Sequence, residues 1–179
     1  MIFYVTHVHP LMASHAQSFP KLVDSVLHNS KGWKRFGYTF KRVTSGTSPS
    51  GTSAPGTALE VFKIILSPPS YMETKLPLHF VHEQLSVADR NSNTIYVNSD
   101  RWTGAIPNKS GLRLKGYQTY IINHEVGHLL GKDHPGLKKQ NQWRLKGYSK
   151  APIMIQQTLG IGAFRRNKWP QEYDNDQHM

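Results

Sequence analysis

The segment His124–His134, which reads HEVGHLLGKDH, constrains this chain more than any other stretch. Histidines four apart on a helix share one face, with Cβ atoms about 5–6 Å apart. His124 and His128 can therefore each offer a ring nitrogen to one Zn2+ at about 2.0–2.1 Å. Glu125 follows the first histidine and points beside the metal, where a base must sit to take a proton from water. Gly131, three residues after His128, can adopt φ > 0, end the helix and turn the chain. That turn can bring His134 back as a third ligand, leaving the fourth position open. Open coordination marks a catalytic site rather than a structural one. Shuffling this composition would produce the pattern in about one chain in ten thousand, so surface histidines on an ordinary helix account for it poorly.

HEVGHLLGKDH resembles the long zinc-binding consensus of the metzincin metallopeptidases. Ala151-Pro152-Ile153-Met154 resembles their Met-turn, a tight turn whose methionine lies beneath the metal. The wider pattern is similar to a little-characterised, mainly actinobacterial family of metzincin-like domains. The segments that carry this likeness are VNSDRW from Val97, INHEVGH from Ile122 and PIMIQQT from Pro152.

The resemblance covers the chain from about Asp24 to Pro170. It implies an α+β fold: a twisted, mixed five-stranded sheet with a backing helix and an active-site helix. A small irregular C-terminal lobe would follow, with zinc in the cleft between. The same resemblance places Met154 under the metal, lets Gln156 and Gln157 shape the pocket, and favours a secreted or cell-surface setting. In that family the fourth strand is antiparallel, edges the cleft and pairs with extended substrate. By order of elements that role falls to Gln84, Leu85, Ser86, Val87 and Ala88. No tyrosine stands two residues after the Met-turn, so an oxyanion donor is either Tyr148 or not a tyrosine.

Composition sets outer bounds. A chain of 179 residues suits one catalytic domain, with residues 1–134 as the larger lobe and 135–179 as the smaller. Cysteine is absent, which excludes disulfides, thiolate ligands and a cysteine nucleophile. No apolar run is long enough to span a membrane, and the first residues lack the basic start and apolar centre of a signal peptide. The formal net charge of +11 favours anionic partners. Its clusters, at Lys31–Arg35, Lys138–Lys139 and Arg165–Lys168, are short and carry no nucleic-acid recognition motif.

Along the chain, Ile2–Val8 alternates as a strand, its His7 and His9 on one face and read as exposed. Ser14–Asn29 has a helical apolar rhythm, with Pro20 in its first turn and Ser18 as a cap. Strands are expected at Phe36–Val43 and Ala58–Ser67, separated by a Ser/Thr/Gly/Pro-rich loop, Ser45–Gly56. Tyr71–Glu83 reads as an irregular connection in which His79 and His82 leave a second metal site open. Gln84–Ala88 and Thr94–Asn98 form a strand pair around a turn, and Arg101-Trp102 packs beneath the active-site helix, Leu112–Gly131. From Pro135 to Ala151 loops are expected, and Gln171–Met179 reads as a polar tail.

The function these residues point to is a zinc-dependent endopeptidase acting on peptide or protein substrates as a monomer. His124, His128 and His134 hold Zn2+, and Glu125 is the general base. HExxH completed by a downstream glutamate is a poorer fit, since Glu172 in the tail is the only glutamate after Glu125. Two alternatives from other classes are a basic nucleic-acid-binding protein and a catalytically silent metal-binding module.

Overall fold

A computed structural model describes residues 1–44, 61–78 and 82–175. Five strands form one mixed sheet: β1 (Ile2–Val8), β2 (Phe40–Arg42), β3 (Val61–Ser67), β4 (Val87–Asp89) and β5 (Thr94–Asn98). Their spatial order is β2-β1-β3-β5-β4. The first four strands in that order pair in parallel, and β4 alone runs antiparallel, with Val87 opposite Tyr96 and Asp89 opposite Thr94. Parallel strands covered on both faces need apolar residues throughout rather than alternation. The inner strand β5, TIYVN, is buried at all five positions.

Among the described residues the α-helices are α1 (Ser18–Leu27), α2 (Pro69–Glu73), α3 (Ser99–Thr103), α4 (Leu114–Leu129), α5 (Leu137–Leu145) and α6 (Glu172–Asn175). α1 buries Phe19, Val23, Val26 and Leu27, a single stripe at helical spacing, and packs on α4. Trp102 of α3 sits beneath α4 as expected, edge-on to Phe19, and Gln118 donates to its carbonyl at 2.9 Å. α4 is buried from Tyr117 to Gly127 except at Gln118, so the helix carrying the histidines is itself a core element.

The mixed five-stranded sheet and the long helix agree with expectation, while several boundaries do not. The second strand is only Phe40–Arg42, because Gly37 takes φ +87° after a 3-10 turn at Trp33–Phe36. The helix expected over Ser14–Asn29 is split into a 3-10 segment, Pro10–His15, and α1. Ser18 does not cap α1. It is the first helical residue, and Gln17 at the cap makes no side-chain bond. Pro69 opens a short helix just before the stretch read as irregular. The fourth strand starts at Val87 rather than Gln84, whose φ of +51° cannot continue a strand.

Two differences lie in the C-terminal segment. Residues 137–145 form α5, which buries little beyond Trp143 and so lacks the apolar stripe that would announce it. The tail does not hang free through Asn175: α6 buries Tyr173 and Asp174. The loop Ser45–Gly56, the first residues of the expected third strand, His79 and residues 176–179 lie outside the described residues. Among the described residues no helix is long and apolar enough to cross a membrane.

Candidate metal centre

α4 carries His124 and His128 one turn apart, and the chain then reverses through a Schellman turn. Lys132 N–H donates to Gly127 O at 2.9 Å and Gly131 N–H to His128 O at 3.0 Å, with Gly131 at φ +81°. That reversal sets His134 Nε2 at 3.1 Å from both His124 Nε2 and His128 Nε2. Among the described residues this is the single group of three or more His, Asp or Glu side chains close enough to hold a metal ion.

Outer hydrogen bonds fix the tautomers. His124 Nδ1 lies 2.8 Å from Ile153 O, and His128 Nδ1 lies 2.9 Å from Lys132 O. A carbonyl can only accept, so both Nδ1 atoms carry the proton and both Nε2 atoms present lone pairs to the common centre. Burial, then the neighbouring imidazoles, push the His124 pKa well below the ordinary value. Burial and His134 push His128 down to about 4, and burial lowers His134. Neutral imidazoles with converging lone pairs suit a divalent cation. The edge of a tetrahedron with bonds of about 2.0–2.1 Å is about 3.3 Å, close to the spacing found. The donor set therefore fits zinc without excluding other metals that favour imidazole.

Three further residues brace this arrangement. Arg90, at the turn between β4 and β5, donates to His128 O at 2.7 Å, to Lys132 O at 2.8 Å and to Asp133 at 2.7 Å. One guanidinium thus ties the end of α4 to the carbonyl that orients His128. Tyr120, one turn before His124, donates to Ile155 O at 2.9 Å, accepts from Gln157 N at 2.9 Å and lies 3.2 Å from His124 Nδ1. Asp174 is fully buried and accepts from Met154 N at 3.3 Å and Gln171 N at 2.8 Å. Burial pushes its carboxyl up to about 7 against those backbone donors. Of the three, only Tyr120 had a legible signal, its i, i+4 spacing to His124.

Met154 is fully buried in a turn closed by Ile155 N–H to Pro152 O at 3.3 Å. Its sulfur crowds the place where a Cβ on Gly127 would stand, and Trp33 Cζ2 lies 2.9 Å from that point. The glycine inside HEVGH is therefore required by the methionine below it. Trp33 is held there by its indole N–H, which donates to Asn123 O at 2.8 Å.

Glu125 is buried and faces a cleft of about 600 Å3 that also takes in all three histidines. Burial pushes its carboxyl up to about 8, against a backbone hydrogen bond from Ala88. A cation beside it would favour the charged form. Of the residues expected to edge the cleft, Leu85, Ser86, Val87 and Ala88 line it, as does Gln156. Gln84 does not; Arg101 draws its carbonyl away with a 2.9 Å hydrogen bond. Gln157 is fully buried, donates to Pro152 O at 3.1 Å and braces the turn instead of reaching the cleft. Tyr148 packs against Tyr173 at a tilt of 42°, with centroids 4.7 Å apart, and lines no part of the cleft. Among the described residues His82 joins no metal-capable group, and His9 packs on Tyr71.

The sequence profile of one family, described only as a protein of unknown function, matches residues 4–177. The chain belongs to this family, DUF3152. The match runs from within β1 through α6, the three histidines included. No curated protein and no solved structure matches the chain.

Proposed function

We propose that this DUF3152 chain is a zinc-dependent endopeptidase with a metzincin-like catalytic domain. The observation that carries the reading is the juxtaposition of three converging imidazole lone pairs with a buried carboxylate, in a cleft bordered by the free edge of a sheet. A zinc ion held by His124, His128 and His134 would supply a Lewis acid that polarises the scissile carbonyl and acidifies a water molecule. Glu125 holds the proton that this water gives up and delivers it to the departing amine. Its burial favours this work, because a carboxylate held out of bulk water binds a proton more readily. β4 is the last strand of the sheet, and its outer side runs along the cleft. An exposed strand edge recognises any extended peptide through main-chain hydrogen bonds. Leu85 and Val87 add apolar contacts, and Gln156 lines the same cleft.

The test uses the zinc-loaded full chain and a diverse peptide library. Hydrolysis should occur and stop with a chelator. Glu125→Gln should keep its zinc and lose at least about a hundredfold in rate, as general-base removal commonly does. A zinc-replete wild type that cleaves nothing, or a Glu125→Gln variant as fast as wild type, refutes the reading.

A further inference from the structure

A second cavity, of about 740 Å3, lies between α1, the first turns of α4 and the segment 166–169. It is remote from the histidines on the helix itself: Thr119, in its wall, and His124 are five residues apart, or about 140° around the axis. Four cations line it, Arg113 and Lys115 from the start of α4, and Arg166 and Lys168 from the facing segment. No carboxylate lines it, and none of the four takes part in a salt bridge among the described residues. Like charges gathered around one hollow repel, and an anion between them relieves that cost.

The rest of the cavity mixes apolar residues with the small polar side chains of Ser25, Asn29, Thr119 and Asn167 in its lining, and is firmly built. Leu22, Val26 and Leu112 line it, with the half-buried ring of Trp169 on the facing segment. That segment is held by buried amides. Asn123 Nδ2 donates to Lys168 O at 2.9 Å, and Asn167 Nδ2 to Ala151 O at 2.9 Å and Trp169 O at 2.7 Å. Arg166 is tied to Gly111 O at 2.9 Å. A concave, largely preformed site of this volume encloses a small molecule rather than an extended chain.

The geometry points to this cavity as a binding site for a phosphorylated small molecule with a planar apolar body. Cations on two facing walls call for an anion with more than one charge and several acceptor oxygens. Arginine forks match phosphate in that way. The aliphatic lining and Trp169 take up the uncharged part. This site stands apart from the proposed peptidase chemistry and does not depend on it.

Calorimetric titration of the zinc-loaded full chain with phenyl phosphate, inorganic phosphate and phenol tests the assignment. Phenyl phosphate should bind one per chain, at least tenfold tighter than inorganic phosphate or phenol, and weaken as salt screens the cations. The double variant Lys115→Glu, Lys168→Glu should lose at least tenfold in affinity while keeping its melting temperature and zinc content, since among the described residues neither ammonium takes part in a salt bridge or a side-chain hydrogen bond. Trp169→Phe gives a second readout: the other three tryptophans are buried, so ligand-induced quenching should shrink in this variant. Absence of saturable binding at millimolar phenyl phosphate overturns the assignment. So does binding that the double variant leaves unchanged, which would be generic surface charge. Binding lost in His128→Ala but kept in the double variant would put the ligand on the metal and overturns it equally.

Discussion

Gly127 shows how much one hydrogen atom in place of a methyl group can decide. Intrinsic helix propensity favours alanine there by about 1 kcal/mol. Met154 and Trp33 already occupy the space a Cβ would need. Overpacking of a filled core costs about 1–3 kcal/mol, so Gly127→Ala should lower stability despite the better helix former. Thermal melts of Gly127→Ala, Met154→Ala and the double variant check this: the double should be more stable than the sum of the singles predicts, because truncating Met154 frees the space. Additive losses would mean that the two residues do not meet. Arg90 is the second residue of consequence. Arg90→Ala should release zinc to a competing chelator about 10–100-fold more readily, the usual cost of losing a group that orients ligands. Arg90→Lys should fall between, keeping the charge but not the fork.

Among the elements, α6 matters most beyond the histidine-bearing helix α4, since its four residues hold the turn that carries Met154. Asp174 is the contact, and its titration gives it a signature. Its carboxyl is raised to about 7 in the folded chain from an ordinary 3.8. The folded state therefore binds more protons than the unfolded state between those values, and stability falls as pH rises through that window. Asp174→Asn removes the titration. The stability margin of wild type over Asp174→Asn should be largest near pH 4, shrink up to about pH 7 and level off above. Melting temperatures of the two proteins across pH 4–8 test this, and a margin that grows with pH contradicts it. β4 shows a different element-scale point: three residues suffice for an edge strand because Arg101 fixes the chain just before it and Arg90 just after.

For the whole molecule, a metal ion held by the three histidines would tie the segment after α4 back to that helix. The main core contains residues of the sheet, α1, α4 and the turn at Ile153-Met154, while Ala151, Ile155 and Phe164 form a separate small cluster. His134 lies beyond the reversal that ends α4, so a bound ion closes that reversal onto the helix. A ligand at a hundred times its dissociation constant adds about 2.7 kcal/mol. For a chain of this size that corresponds to a rise of about 5–10 °C in melting temperature. Zinc should produce this shift in wild type and not in His128→Ala; an unchanged melting temperature with zinc bound would show that the site is not coupled to folding.

The sequence by itself determined which histidines could hold a metal ion, because the spacing of His124, Glu125, His128 and Gly131 is meaningful on a single helix and needs no distant partner. It also determined β1, β3 and β5 in kind, since continuous β-branched and aromatic runs bounded by turns are local signals. Tertiary structure alone decided what supports those ligands. Arg90 and Asp174 reach the site across 38 residues of chain to His128 and 20 to Met154, and nothing in their immediate neighbours marks them. The same limit explains α5, whose sparse apolar residues carry no stripe, and Gln157, which sequence order set beside Gln156 but the turn rotates into the core. A periodic pattern records which face of an element is buried; which side chain meets another across the core is fixed only when the elements pack.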